Sequence, residues 1–275
     1  MLKARIATAV VLLPLVVMAI LVLPTVAIEI ISGMFVILAA WEWVTLTNAA
    51  ATAAMRIGIL ISYISIAMLS KLLALAWLRY IWYLAIVWWL IGIIAIVLYP
   101  RAKNMWQNNV ISFVIGCLVF VSAWLAIGYI HSLANGPIWM LFACIIVWCA
   151  DIAAYFTGKA WGKVKLLPAV SPAKTWAGLY GAVIGTTITT IMFYIIAKPA
   201  CNIFAFVAMC FIATLFAIVG DLVESLFKRV FDCKDSGKLL PGHGGVLDRL
   251  DSLLACLPVY AIGLQILENP RIMSI

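Results

Sequence analysis

Apolar positions along the chain run in long unbroken blocks. Nine stand out, at about 6–23, 25–46, 57–76, 80–99, 110–130, 137–157, 177–197, 201–223 and 246–267. As helices rising 1.5 Å per residue, each would be roughly 27–35 Å long, enough to cross a bilayer. A membrane β-barrel would need short alternating segments, which these are not. The pattern predicts an all-α polytopic transmembrane bundle of about nine spans, forming one integral membrane domain over 1–275. The longest connections, 158–176 and 224–245, are rich in charge, Gly and Pro. The first block follows Lys3 and Arg5 as a signal peptide would. It lacks a clear small-residue cleavage site, and only Pro24 and Thr25 part it from the next block, so an uncleaved helical hairpin is expected.

Composition agrees with this reading. The chain is 67% hydrophobic and 10% charged, against about 45–50% and 25% in soluble domains. That excludes a soluble enzyme and a disordered chain. The net charge of +8 would point to nucleic acid in a soluble protein. Here the basic residues sit in short loops, where they act as topology signals and lipid-headgroup contacts, so no nucleic-acid partner is expected. With nine spans, fourteen of the eighteen Lys and Arg fall on one side; Lys71, Arg79, Lys198 and Arg271 fall on the other. The positive-inside rule then puts the N-terminus in the cytoplasm and the C-terminus outside. The seven cysteines show no metal-type pairing, and neither disulfides nor a zinc site is expected.

The acidic residues are distributed unevenly. A carboxylate at mid-span costs about 2.5–3.5 kcal/mol on insertion scales, so each is a functional candidate. Glu42, Asp151, Asp221, Glu224, Asp248 and Asp251 all fall near cytoplasmic span ends, and Asp232 and Asp235 lie in the last cytoplasmic loop. Only Glu29 and Glu268 map to the far side. Asp221, Glu224, Ser225 and Lys228 recur at i, i+3, i+4 and i+7, one helix face if the eighth span continues into the cytoplasm. Asp248 and Asp251 are spaced i, i+3 at the start of the ninth span, where the helix dipole favours negative charge. Such carboxylates are hard ligands suited to Mg2+ completed by substrate phosphates. A structural ion pair with Arg229 or Arg249 is the alternative for Asp221 and Asp248.

Between these helices lies Lys234-Asp235-Ser236-Gly237-Lys238-Leu239-Leu240-Pro241-Gly242-His243-Gly244-Gly245. Glycines before a helix let backbone N–H groups approach an anion closely. His243 could serve as a general base, a phosphate donor or a turn-stabilising side chain; His131 maps to the outer face. In the other polar loop, Ser171-Pro172 reads as a helix start, with Ser171 as cap. Lys159, Lys163 and Lys165 would meet anionic lipid or ligand phosphate, while Lys174 sits beside the bundle core.

Residues 225–229, 234–237 and 240–251 together resemble the signature of the phosphatidate cytidylyltransferases, the CDP-diglyceride synthetases, and are closest to bacterial inner-membrane members. The Asp151–Thr175 stretch is similar to a second region of that family, and Trp41-Glu42-Trp43 to its early acidic position. Two departures stand at Ile152, where members often have Ser or Thr, and at Ala177, where they often have Glu or Gln. The resemblance implies transfer of the cytidylyl group of CTP to phosphatidate, giving CDP-diacylglycerol and pyrophosphate, by a catalytic half at about 137–267. On that footing Asp221 and Asp248, with Asp251 and Glu224, would hold Mg2+. Lys228, Arg229, Lys234, Arg249 and Lys174 would hold phosphates. Ser225, Asp235 and His243 would orient ligand or loop, and Ser171, Gly244 and Gly245 would bind substrate. The resemblance further implies a monovalent cation such as K+ and a homodimer in a bacterial inner membrane, with the active site facing the cytoplasm.

Overall fold

The computed structural model describes residues 13–101, 103–237, 239 and 244–268. Within them the chain is a helical bundle. Helix α1 (Leu13–Val22) leads through Pro24 into α2 (Thr25–Thr47). Then come α3 (Ala53–Ser70), α4 (Leu75–Leu98), a 3-10 turn (Lys103–Gln107) and α5 (Asn109–Gly116), which runs through a π-turn (Cys117–Val121) into α6 (Ser122–Ser132). Next are α7 (Gly136–Trp161), α8 (Trp176–Ala197), α9 (Ile203–Val230) and α10 (Leu247–Glu268). Eight of these helical stretches, α5 and α6 counting as one, are long and apolar enough to span a membrane. The expected first span, 6–23, lies partly outside the described residues; its remainder forms α1.

The helices begin where the sequence offers caps. Thr52, Asn108 and Asn202 each accept a backbone N–H of the following turn, satisfying donors that a helix start leaves open. Long apolar side chains such as Leu69, Val97, Ile184 and Ile196 stand on the outside of the bundle. A face of that kind fits acyl chains rather than water. The continuous α5–α6 helix and α10 are the most enclosed, whereas α3 and α8 are peripheral.

Two cores fill the interior, one toward each end. One gathers Trp43, Trp88, Phe120, Phe227 and Leu254; the other gathers Trp82, Phe142, Phe206 and Tyr260. The second lies toward the end away from Glu42 and Asp248. There buried His131 contacts Thr25 Oγ1 at 3.0 Å through Nδ1 and the Ile20 carbonyl at 3.0 Å through Nε2, pinning the α1–α2 turn.

One expectation is corrected in the 158–176 connection. Ser171-Pro172 does not start a helix. Leu167–Val170 forms a turn closed by Val170 N donating to Leu167 O at 3.2 Å, with Pro168 at the turn position its fixed φ favours. The turn folds β2 (Ser171–Thr175) antiparallel onto β1 (Lys165–Leu167), pairing Leu167 with Ser171 and Lys165 with Thr175. The cap of α8 is instead Thr175, whose Oγ1 accepts from Gly178 N at 3.1 Å. Both Ser171 and Thr175 are chemically competent caps; strand pairing, a non-local contact, selects the second.

Candidate active site

Helix α9 extends seven residues past the apolar block that predicts it, and so carries Asp221, Glu224, Ser225 and Lys228 along one stripe. Its neighbour α10 runs close by at Gly220. A Cβ there would stand 2.5 Å from the Asp251 carbonyl oxygen and 2.7 Å from the Ala255 methyl. The missing side chain lets the helices touch, which sets the first turn of α10 against the last turns of α9. In consequence one carboxylate oxygen from each of Asp221, Glu224 and Asp251 falls within 4.8 Å of the others. Glu224 is buried, and its Oε1 has no hydrogen-bond partner among the described residues.

Cations border this trio on two sides. Lys174, presented by β2, forms an ion pair with Asp221. Lys228 stands 2.5 Å from Glu224 Oε2 and 2.8 Å from Asp248 Oδ1. Asp248 is thus linked to Glu224 of the trio through Lys228. It also accepts backbone N–H groups, from Gly245 at 2.8 Å and from Ser236 at 3.1 Å. The return bond from Gly245 resembles half of a capping box at the start of α10. Gly244 turns through φ +84 just before it, a conformation that glycine adopts without strain. The amides at 236 and 245 therefore close on the protein's own carboxylate.

The remaining sequence candidates divide. Ser225 is buried on the α9 stripe. Arg229 turns toward the hairpin: Nε donates to the Val170 carbonyl at 3.2 Å and Nη1 to the Cys233 carbonyl at 3.4 Å, tying α9 to the turn between β1 and β2. Lys234, Asp235 and Arg249 are exposed. Ser171 lies in β2, half-buried, away from any helix start. His243 falls outside the described residues.

Two contributions had only partial signals in the sequence. A cavity of about 480 Å³ between α7, α8 and the hairpin is lined by Asp151, Lys159, Lys165, Lys174 and Asp221 among others. The sequence marks Asp151 as an acid near a cytoplasmic span end and the lysines as lipid or phosphate contacts; that they share one cavity with Asp221 required the fold. Glu42, far off on α2, is 3% exposed. It accepts from Leu247 N at 2.9 Å and Ser236 Oγ at 3.1 Å. Chemically, the arrangement offers a cluster of hard oxygen ligands beside a cavity that carries three lysines and two aspartates, at one end of a membrane bundle.

Comparison with known proteins points the same way. The model of the cytidylyltransferase family matches residues 3–267. A phosphatidate cytidylyltransferase of Pseudomonas aeruginosa is 37% identical over 270 residues, covering 95% of this chain and 96% of that protein. One from Haemophilus influenzae is 37% identical over 188 residues, 64% of this chain and 65% of its own. One from Bacillus subtilis is 36% identical over 161 residues, 57% and 59% of the two chains.

Proposed function

The chain belongs to the cytidylyltransferase family, and we propose that it transfers the cytidylyl group of CTP to phosphatidate, giving CDP-diacylglycerol and pyrophosphate. The observation that carries this reading is the position of Asp221. On one side it joins Glu224 and Asp251; on the other it meets Lys174 at the wall of the lysine-bearing cavity. A polyanionic nucleotide and a lipid phosphate both call for cations and a metal cluster at the membrane surface.

The donor set fits a divalent cation. Three carboxylates are hard oxygen ligands, and buried Glu224 Oε1 is an acceptor that such an ion would satisfy. Asp221, Glu224 and Asp251 would hold Mg2+, with Asp248 acting from behind through Lys228. Bound there, Mg2+ would supply neutralisation of phosphate charge. A monovalent cation such as K+ beside it and a homodimer belong to the same reading.

In the reaction, a phosphate oxygen of phosphatidate attacks the α-phosphorus of CTP, and the bond to the β-phosphate breaks in line to release pyrophosphate. The nucleophile is already an anion, so no strong general base is needed. Catalysis of this kind rests on positioning and charge stabilisation. Lys174, Lys159 and Lys165 would hold phosphates in the cavity, and Lys234 on the α9–α10 connection and Arg249 in the first turn of α10 would reach them. Lys228 would keep Glu224 and Asp248 apart and correctly aimed. His243 and Asp235 would orient the ligand. The site faces the cytoplasm of a bacterial inner membrane, where CTP is available.

The test uses purified protein in detergent with CTP and phosphatidate. Pyrophosphate release that requires both substrates, with CDP-diacylglycerol formed in equal amount, is the expected result. Pyrophosphate release indifferent to phosphatidate, or none, would sink the reading.

A further inference from the structure

We propose that Glu42 is a positioning residue: an anchor on α2 that fixes both ends of the α9–α10 connection and thereby aims Asp248 and Lys228 at the acidic trio. The start of α10 explains the need. Gly244-Gly245-Val246 offers no side-chain cap, yet the first amides of a helix need acceptors. Asp248 takes the amide of Gly245, and the amide of Leu247 goes to Glu42 Oε2 at 2.9 Å, across 205 residues of chain. The same oxygen accepts from Ser236 Oγ at 3.1 Å. One carboxylate thus joins the end of the connection leaving α9 to the end entering α10. A negative group at this point also suits the helix dipole.

The fit is close on every side. A Cβ on Gly237 would stand 2.1 Å from Glu42 Oε1, and one on Gly245 would stand 2.4 Å from Oε2. The chain lies directly against the carboxylate, which explains a glycine at each place. Glu42 is itself held rigidly. Its neighbour Trp43 donates through Nε1 to the Ser112 carbonyl at 3.1 Å and packs edge-on to Phe227 of α9 at 4.7 Å between ring centroids. From Glu42 the contacts continue without a gap. Ser236 N donates to Asp248, Asp248 pairs with Lys228, and Lys228 pairs with Glu224 of the trio. Residues that orient ligating groups in this way typically change activity or metal affinity by about 10–100-fold when removed.

The kinetic half of the test rests on the cytidylyltransferase reading; the other half does not. Wild type, Glu42→Gln, Glu42→Ala and Ser236→Ala are compared in detergent. Amide hydrogen exchange at Ser236, Gly245 and Leu247 reads the anchor without substrate, while kcat and KM for CTP read its consequence. In Glu42→Ala, exchange at these amides should quicken about tenfold or more, with the α6 core unchanged, and kcat should fall about 10–100-fold. Glu42→Gln, whose amide oxygen can accept both bonds, should restore protection and keep kcat within about fivefold of wild type. Wild-type protection in Glu42→Ala overturns the proposal. So does a Gln variant as inactive as Ala with its amides protected, since the charge would then act directly. If Glu42→Ala fails to insert, Ser236→Ala decides: faster exchange at the Ser236 amide supports the anchor, and unchanged exchange overturns it. A wild type that transfers no cytidylyl group would defeat the functional reading while the exchange data still judge the anchor.

Discussion

Lys228 Nζ lies 2.8 Å from Asp248 Oδ1 and also 2.5 Å from Glu224 Oε2, so one ammonium joins the end of α9 to the start of α10. All three groups are largely enclosed. Removing the cation would leave Glu224 without its charged partner and Asp248 with backbone N–H donors, and breaking a buried pair costs about 3–5 kcal/mol. Lys228→Met should therefore lower thermal stability in detergent markedly. Lys103→Ala breaks a pair with the exposed Asp232, where the cost is about 0–1 kcal/mol. Equal melting shifts for the two variants would show that Lys228 is not a buried linker.

The carboxylate trio yields a second expectation. Asp221→Asn, Glu224→Gln and Asp251→Asn each keep size and remove charge. Each should nearly abolish turnover while the protein still inserts. A double variant should be little worse than a single one, because groups acting as a unit are not additive. Activity of the wild type should vanish with chelator and return with Mg2+. Turnover measured against Mg2+ concentration decides the matter, and near-normal rates in all three single variants would place the metal elsewhere.

Gly220 offers a packing test. A side chain there meets the Asp251 backbone at 2.5 Å, and backbone cannot swing aside as a flexible side chain would. Gly220→Val should push α9 from α10, costing about 1–3 kcal/mol of stability and separating Asp221 and Glu224 from Asp251. The half-saturating Mg2+ concentration should rise. A variant with wild-type melting and wild-type Mg2+ response would show that the close crossing does not set the trio.

Topology can be checked with reporters. Fourteen of eighteen basic residues on one side predict a cytoplasmic N-terminus and an external C-terminus. A reporter active only in the cytoplasm should work when inserted at 158–176 and stay silent at the C-terminus. Cytoplasmic activity of the C-terminal fusion would remove or merge one span.

Much of this protein was already legible in its sequence. Apolar blocks give eight spans with ends displaced by up to seven residues, because in a bilayer every backbone polar group must be satisfied within its own helix. That constraint is local, and hydropathy records it. Positions 57–76 predict α3 later than its start at Ala53, since the Thr52 cap, not apolarity, sets that end. The stripe from Asp221 to Lys228 follows from helical spacing alone. Which acids meet does not. Pairing Asp221 with Asp248 is natural from their places at two span ends, but the structure gathers Asp221 with Glu224 and Asp251 and gives Asp248 to Lys228. The choice depends on how closely α9 and α10 approach at Gly220 and on where the connection between them folds back. The hairpin that presents Lys174, and the reach of Glu42 from α2, are likewise contacts between segments distant in the chain. Local pattern carries propensity and period, whereas such contacts are selected by packing and by the need of buried polar groups for partners.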